Sequence, residues 1–411
     1  MKTEPTPTRQ AQLIDALNGL AGLGTALKLA DGMGGESVAA RERLALALGT
    51  VTAGQDNDAA VGRLGRALAD RHVGLRRSAA LALSKLAQAP GADLKPALRK
   101  ALPALVGALR DRDRAVRSSA AVALWRTTGE TDKALPVLLE ELELLGYDDV
   151  ELIEKLRTGR PVPPVLVELV SMAERSDHAR QALVAAMGHD SERVRTGSAV
   201  VVGGMTAPPA ALFAAPLALM TEDRSPTTRL QATVALRWLD LAAAQQEPVV
   251  RRLDELLDDR TPALRAQALV TLGVVGPRSG LVKLAHVREA LTDRDDAVRV
   301  RAAEALGRFG PKAGGTVAAL QLALKDRNAF VRRAAAASLA QVGAEAVPAL
   351  TLGLSDRDYD VRKHVATALG AVGPPARGAL DALRAASRDA DDEVAAAARD
   401  AIGRITAGAT P

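Results

Sequence analysis

A chain of 411 residues that is 48% apolar but only 2% aromatic fills its interior with Ala, Leu and Val, which suits many small helix–helix contacts and excludes one large core of bulky side chains. Cysteine is absent, so disulfides, thiol nucleophiles and thiolate metal sites are excluded as well. The net charge of +5 accompanies the arginine and alanine bias that a GC-rich bacterial genome imposes, and by itself it names no partner.

The N-terminal residues 1–37 carry no basic-then-apolar leader. The first apolar stretch, 13–29, is interrupted by Asp15, Asn18 and Lys28, which suits neither a signal core nor a membrane span. The expectation is a cytoplasmic protein with no membrane attachment, residues 1–37 forming an N-terminal capping segment. Gly22-Leu-Gly24 and Gly32-Met-Gly-Gly35 follow no strand pattern, so they read as helix-ending loops rather than a dinucleotide fingerprint.

From residue 38 the chain repeats itself. The run Asp111-Arg-Asp113-Arg-Ala-Val116-Arg117 returns as Asp293-Arg-Asp295-Asp-Ala-Val298-Arg299 and as Asp356-Arg-Asp358-Tyr-Asp-Val361-Arg362. Anchoring on the arginine gives Arg76, Arg117, Arg195, Arg229, Arg265, Arg299, Arg332 and Arg362, with Ala395 in the last copy. Neighbouring anchors lie 30 to 41 residues apart, except for one gap of 78 that fits two degenerate units. About ten or eleven units result.

Each column has a physical reason. Four residues before the anchor stand His72, Asp113, Ser191, Ser225, Thr261, Asp295, Asn328, Asp358 and Asp391. All but His72 are preferred N-cap residues, so this column predicts the start of a second helix in each unit. Small and apolar residues such as Ala302, Ala305 and Leu306 trace one stripe with Val298. The pairs Gly276-Pro277, Gly310-Pro311 and Gly373-Pro374 are predicted to end that helix. A first helix precedes each turn, as at 101–109 and 347–354, so the unit is a helix–turn–helix hairpin. Six residues before the anchors stand aspartates, among them Asp111, Asp259, Asp293, Asp326 and Asp356. A carboxylate there can take a charge-assisted bond from the arginine of its own or the adjacent unit. Copied so many times, the pairs Asp111/Arg117, Asp259/Arg265, Asp293/Arg299, Asp326/Arg332 and Asp356/Arg362 read as a structural ladder and not as acid–base chemistry.

Along the chain, 38–130 is a first block of repeats and 131–190 a degenerate stretch. There Glu140, Glu141, Glu143, Asp148, Asp149, Glu151 and Glu154 form an acidic patch over two predicted helices, followed by the Pro-rich linker 157–164. That stretch is either a decayed repeat with a solvated face, or a hinge or docking site. Repeats resume over 191–405 and end in a polar C-terminal cap with Asp389, Asp391, Asp392, Glu393 and Asp400; residues 406–411 are a tail. The segment Gly310-Pro-Lys-Ala-Gly-Gly-Thr316 occupies an ordinary position between units and is not a phosphate loop. The five histidines lack ligand spacing, so no metal and no cofactor is expected.

The pattern D-x-D-x-x-V-R-x-x-A-A-x-A-L-G resembles HEAT repeats, in the short form also found in phycobilin lyase subunits. The resemblance implies an all-α protein, an α-solenoid or superhelix whose second helices line a concave face. On that reading the column five residues past the anchor faces the groove: Leu81, Val122, Val200, Val234 and Val270 are apolar, while Glu304, Ala337, Thr367 and Asp400 are polar or small. The first five, with Trp125 and Trp238, are candidates for an apolar partner-binding groove. Arg77, Arg126, Arg301, Arg308, Arg333, Lys363 and His364 are candidate contacts for an anion or an acidic partner. The function expected is a non-catalytic protein–protein interaction scaffold. One alternative is a nucleic-acid-binding solenoid similar to HEAT-like DNA repair proteins, disfavoured by the lack of stacking aromatics. Another is a subunit of a lyase-type enzyme, for which no catalytic residue is assigned.

Overall fold

A computed structural model describes residues 57–88, 94–310 and 314–407, together with positions 42, 45, 46 and 48. The proposed cap at 1–37 and the end of the tail lie outside the described residues. Every regular element among them is helical.

The described chain forms two compact units. The first runs up to Leu145 and takes in Val162–Ala186; the second combines Gly146–Pro161 with Met187 onwards. The irregular stretch 131–190 is therefore divided between the two. In the first unit α1 (Asn57–Ala67) and α2 (Val73–Gln88) make one hairpin, and α3 (Leu94–Lys100), α4 (Leu102–Ala108) and α5 (Arg114–Thr128) the next, with α2 stacked on α5. Then comes α6 (Ala134–Glu140). The segment Gly146–Pro161 carries α7 (Leu152–Arg157), after which α8 (Pro164–Arg175) and α9 (Asp177–Met187) follow.

The second unit is a stack of hairpins. Its second helices are α10 (Glu192–Gly204), α12 (Pro226–Leu236), α14 (Pro262–Ser279), α16 (Asp296–Phe309), α18 (Ala329–Val342), α20 (Tyr359–Val372) and α22 (Asp392–Ala407), each packed on the next. Between them run the first helices α11 (Ala210–Met220), α13 (Ala243–Glu255), α15 (Leu284–Glu289), α17 (Thr316–Ala323), α19 (Val347–Gly353) and α21 (Leu380–Ala386). This layering of paired helices is an all-α solenoid architecture.

The α16 helix shows why the sequence folds this way. Asp295 is its N-cap and accepts from the amides of Ala297 and Val298 at 2.9 and 3.3 Å. Acidic Asp296 opens the helix and basic Arg308 closes it, both favourable for the helix dipole. Its inward stripe, Val298, Ala302, Ala305 and Leu306, is at most 2% exposed. The chain leaves through Gly310 at φ 70°, a left-handed conformation that a side chain would strain.

Small residues set how closely successive second helices approach. A Cβ on Gly307 would stand 2.8 Å from the Cα of Ser338 on α18, and one on Gly370 3.0 Å from the Cα of Ala401 on α22. That closeness explains the Ala- and Gly-rich, aromatic-poor composition. One boundary differs from the sequence reading: α14 does not stop at Gly276-Pro277 but runs through Pro277 to Ser279 and ends on Gly280 at φ 65°. Pro277 lies in the final turn, where one lost amide bond is cheap, and Gly276 allows Phe309 and Val282 to close in.

Candidate protein-binding face

The repeated Asp and Arg side chains join units. Arg299 donates through Nε and Nη2 to Asp326 of the following unit at 2.8 and 3.0 Å, and through Nη1 to the Asp293 carbonyl of its own turn at 2.9 Å. The same fork links Arg76 to Asp111, Arg195 to Asp223, Arg265 to Asp293, Arg332 to Asp356 and Arg362 to Asp389, the Nε bond at 2.7–2.8 Å in each; Arg229 reaches Asp259 at 3.4 Å. So the aspartate and arginine of one unit do not share a carboxylate bond; each pairs across an interface. Arg117 instead meets Glu140 at 3.9 Å. Every such aspartate also accepts a backbone amide two residues on, as Asp326 does from Asn328 at 2.7 Å. In the Arg195 unit that acceptor is the His189 ring nitrogen, 3.0 Å from the Ser191 amide. Burial pushes the Asp326 and Asp293 carboxyls up, but the bonds from Arg299 and Arg265 and from the turn amides leave both below the ordinary carboxylate value.

The apolar column has two fates. Leu81, Ala337, Thr367 and Asp400 are exposed, whereas Val200 and Val234 are 0% and 5% exposed. Within the second unit, α7 packs across α10 and α12, the helices that carry the two buried valines. Val270, on the next helix, is half-buried. In the first unit Val122 and Trp125 are buried, at 9% and 3% exposed.

The segment Gly146–Pro161 is held by specific contacts. The fully buried Gln231 donates from its amide to the carbonyls of Tyr147 and Asp149, at 2.9 and 3.0 Å. These bonds grip a stretch of backbone outside any helix. Ile153 of α7 fills the space where Gly203 has no side chain; a Cβ there would stand 2.7 Å from its Cδ1. Arg157 then donates to the end carbonyls of α10, Gly203 at 3.1 Å, Met205 and Thr206. Its guanidinium also lies 4.2 Å from the Trp238 ring centroid, with Arg237 at 4.9 Å.

A model for "HEAT repeats" matches residues 284–352 and 316–403, and one for a "HEAT-like repeat" matches 73–125. The chain is a HEAT-repeat protein. No curated protein matches its sequence. Among solved structures the chain is similar to Kap121p (TM-score 0.62, 16% identity, 93% of this chain and 45% of that one). It is also similar to the karyopherin Kap121p bound to the SUMO protease Ulp1p (0.62, 14%, 93% and 44%) and to Kap121p bound to Pho4p (0.59, 15%, 96% and 49%). At such identities the likeness concerns the fold, and the HEAT-repeat chain spans under half the length of these structures.

Most cations singled out in the sequence are engaged in holding the HEAT repeats together. Arg77 forks onto Asp113 at 3.0 and 2.5 Å, and Arg126 onto the buried Glu168 at 2.8 and 3.1 Å. Arg333 pairs with Asp360, and Lys363 reaches Glu393 at 2.6 Å. His364 Nδ1 lies 2.7 Å from the Asp360 carbonyl, and Arg301 bonds Glu304 one turn along its helix at 2.8 Å. Arg308 has no carboxylate partner among the described residues. Sequence reasoning did not single out Gln231, Arg157 or Arg237. Gln231 stands two residues past its anchor, but nothing in the sequence says that a distant backbone will pass there.

Proposed function

We propose that this HEAT-repeat chain is a non-catalytic cytoplasmic scaffold that holds a partner protein along the second-helix face of its repeats. One observation supports the reading above the others: the face already accommodates an irregular stretch of backbone followed by a short helix, Gly146–Pro161, using side-chain amide, guanidinium and apolar contacts of the kind that bind peptides. The same column of side chains is uncovered further along at Ala337 and Thr367, where a partner would continue the line. Kap121p, a fold relative, has been solved with bound proteins.

The test is site-specific photocrosslinking in cells of the source organism. A benzophenone side chain replacing Val270 reports on the second-helix face, and one replacing Leu322, 70% exposed on a first helix, reports on the opposite side of the hairpins. Discrete protein adducts from position 270 and none from 322 are expected. Equal adducts from both, or none from 270, would remove the reading.

A further inference from the structure

Immediately beyond the seat of α7, the second-helix face carries positive charge that the repeats do not neutralise. Arg237, half-buried at the end of α12, stacks on Trp238, and no carboxylate lies within ion-pair distance of it among the described residues. Arg308 of α16 lies over α14, its Cδ 3.2 Å from where a Cβ of Gly273 would stand. Burial pushes the Arg237 guanidinium below its ordinary value, Arg308 lowers it further, Glu154 of α7 opposes this, and Arg301 adds to the lowering. Arg237 and Arg308 thus lie without a carboxylate partner among the described residues, while Arg301 beside them is bonded to Glu304 of its own helix. Beside them lies a recess of about 330 Å³ lined by Arg237, Trp238, Leu239, Asp240, Val274 and Val275.

We propose that an acidic segment of the partner protein docks here, across α12, α14 and α16, placing its carboxylates against Arg237, Arg301 and Arg308 and an apolar side chain in the recess beside Trp238. The proposal rests on the scaffold reading and gives it a chemistry. Its ground is charge complementarity together with continuity: Arg237 and Arg308 have no carboxylate partner among the described residues, and the neighbouring stretch of the same face is already occupied by a peptide segment, Gly146–Pro161. A protein segment is favoured over nucleic acid because Gln231 on this face recognises peptide carbonyls, and because the only aromatic ring in the cluster is already flanked by two guanidiniums.

Fluorescence anisotropy of the full chain with labelled decaglutamate, decalysine and oligothymidylate tests this. Arg301 and Arg308 are exposed, so Arg301→Glu/Arg308→Glu leaves the fold intact, and Arg384→Glu, on a first helix, changes charge elsewhere. Decaglutamate is expected to bind the wild type and Arg384→Glu alike, and Arg301→Glu/Arg308→Glu about tenfold or more weakly. Decalysine should not bind. Absent decaglutamate binding, or equal binding by the double variant, overturns the proposal. So does oligothymidylate binding as tight as decaglutamate and lost in the same variant, which would make the cluster a phosphate site. If the double variant still yields the position-270 crosslinks in full, the scaffold stands and the acidic site falls.

Discussion

The Arg299–Asp326 rung offers a quantitative test of what the repeated motif does. Its side chains are 5% and 12% exposed, and two bonds of 2.8 and 3.0 Å cross the interface between α16 and α18. Asp326→Ala leaves the guanidinium buried with only backbone carbonyls to meet it; Arg299→Met leaves the carboxylate with one turn amide. Removing one partner of such a pair costs about 3–5 kcal/mol, in line with two charge-assisted bonds at about 1.5–3 kcal/mol each. The double change Arg299→Met/Asp326→Leu removes both charges and fills the space, so its cost should fall short of the summed single costs by about 2–3 kcal/mol. Urea titration followed by circular dichroism gives the three costs. Because a repeat array is stabilised by nearest-neighbour interfaces, hydrogen exchange should show the weakening in α16 and α18 before α10 or α12. Single losses below about 1 kcal/mol, or costs additive within about 0.5 kcal/mol, would refute the reasoning.

Three further outcomes follow from the same contacts. Bonds from Arg76 and Arg362 hold Asp111 and Asp389 below the ordinary carboxylate value, and Asp223, Asp293 and Asp326 end below it despite burial. Their folded pKa values are depressed, so the stability they give is complete above the unfolded value of about 4. It is lost as pH falls through the folded values. Far-ultraviolet circular dichroism should show stability flat near neutrality and falling below about pH 4; a curve unchanged down to about pH 2 would contradict this. Gly203→Val would drive a side chain into Ile153 and the Ala235 backbone, costing about 1–3 kcal/mol and raising hydrogen exchange across 147–157; unchanged exchange there would mean that the segment is not seated on α10. Gln231→Ala removes both bonds to the Tyr147 and Asp149 carbonyls, at about 1 kcal/mol each. Tryptic cleavage at Lys155 should then accelerate by about an order of magnitude, and an unchanged rate would show that the amide does not hold the segment.

The hairpin is legible in the sequence because its signals are local. A cap such as Asp295, a stripe such as Val298, Ala302 and Leu306, and a stop such as Gly310 act within a few residues, and repetition multiplies the signal. The direction of the ladder is not local. From Asp293-x-Asp-x-x-Val-Arg299 alone, the guanidinium is as close to its own aspartate as to the next, and the stacking of α16 on α18 decides for Asp326. The acidic stretch was opaque for a related reason. Glu140 to Glu154 reads as two polar helices, yet the chain is outside any helix between Leu145 and α7. What stabilises it there is Gln231, more than eighty residues away, and no periodicity encodes that meeting. Val200 and Val234 differ from Leu81 of their column too: apolar and carried on second helices, they are buried.

The same accounting alters how the charge of the chain should be read. A net +5 spread evenly would draw any polyanion to the whole surface, with long-range steering that salt suppresses. Instead the anchor arginines are consumed by the ladder, and Arg77, Arg333 and Lys363 by carboxylates of the following unit, Asp113, Asp360 and Glu393. These pairs cancel within a few ångströms and project little field. At Arg237 and Arg308 a half-buried guanidinium sits among like charges, beside a recess whose lining includes Trp238, Leu239, Val274 and Val275. Localised charge next to apolar surface discriminates between ligands by contact rather than by attraction at a distance. An acidic peptide that also offers an apolar side chain satisfies both halves of such a site, whereas a uniform phosphate backbone satisfies only one.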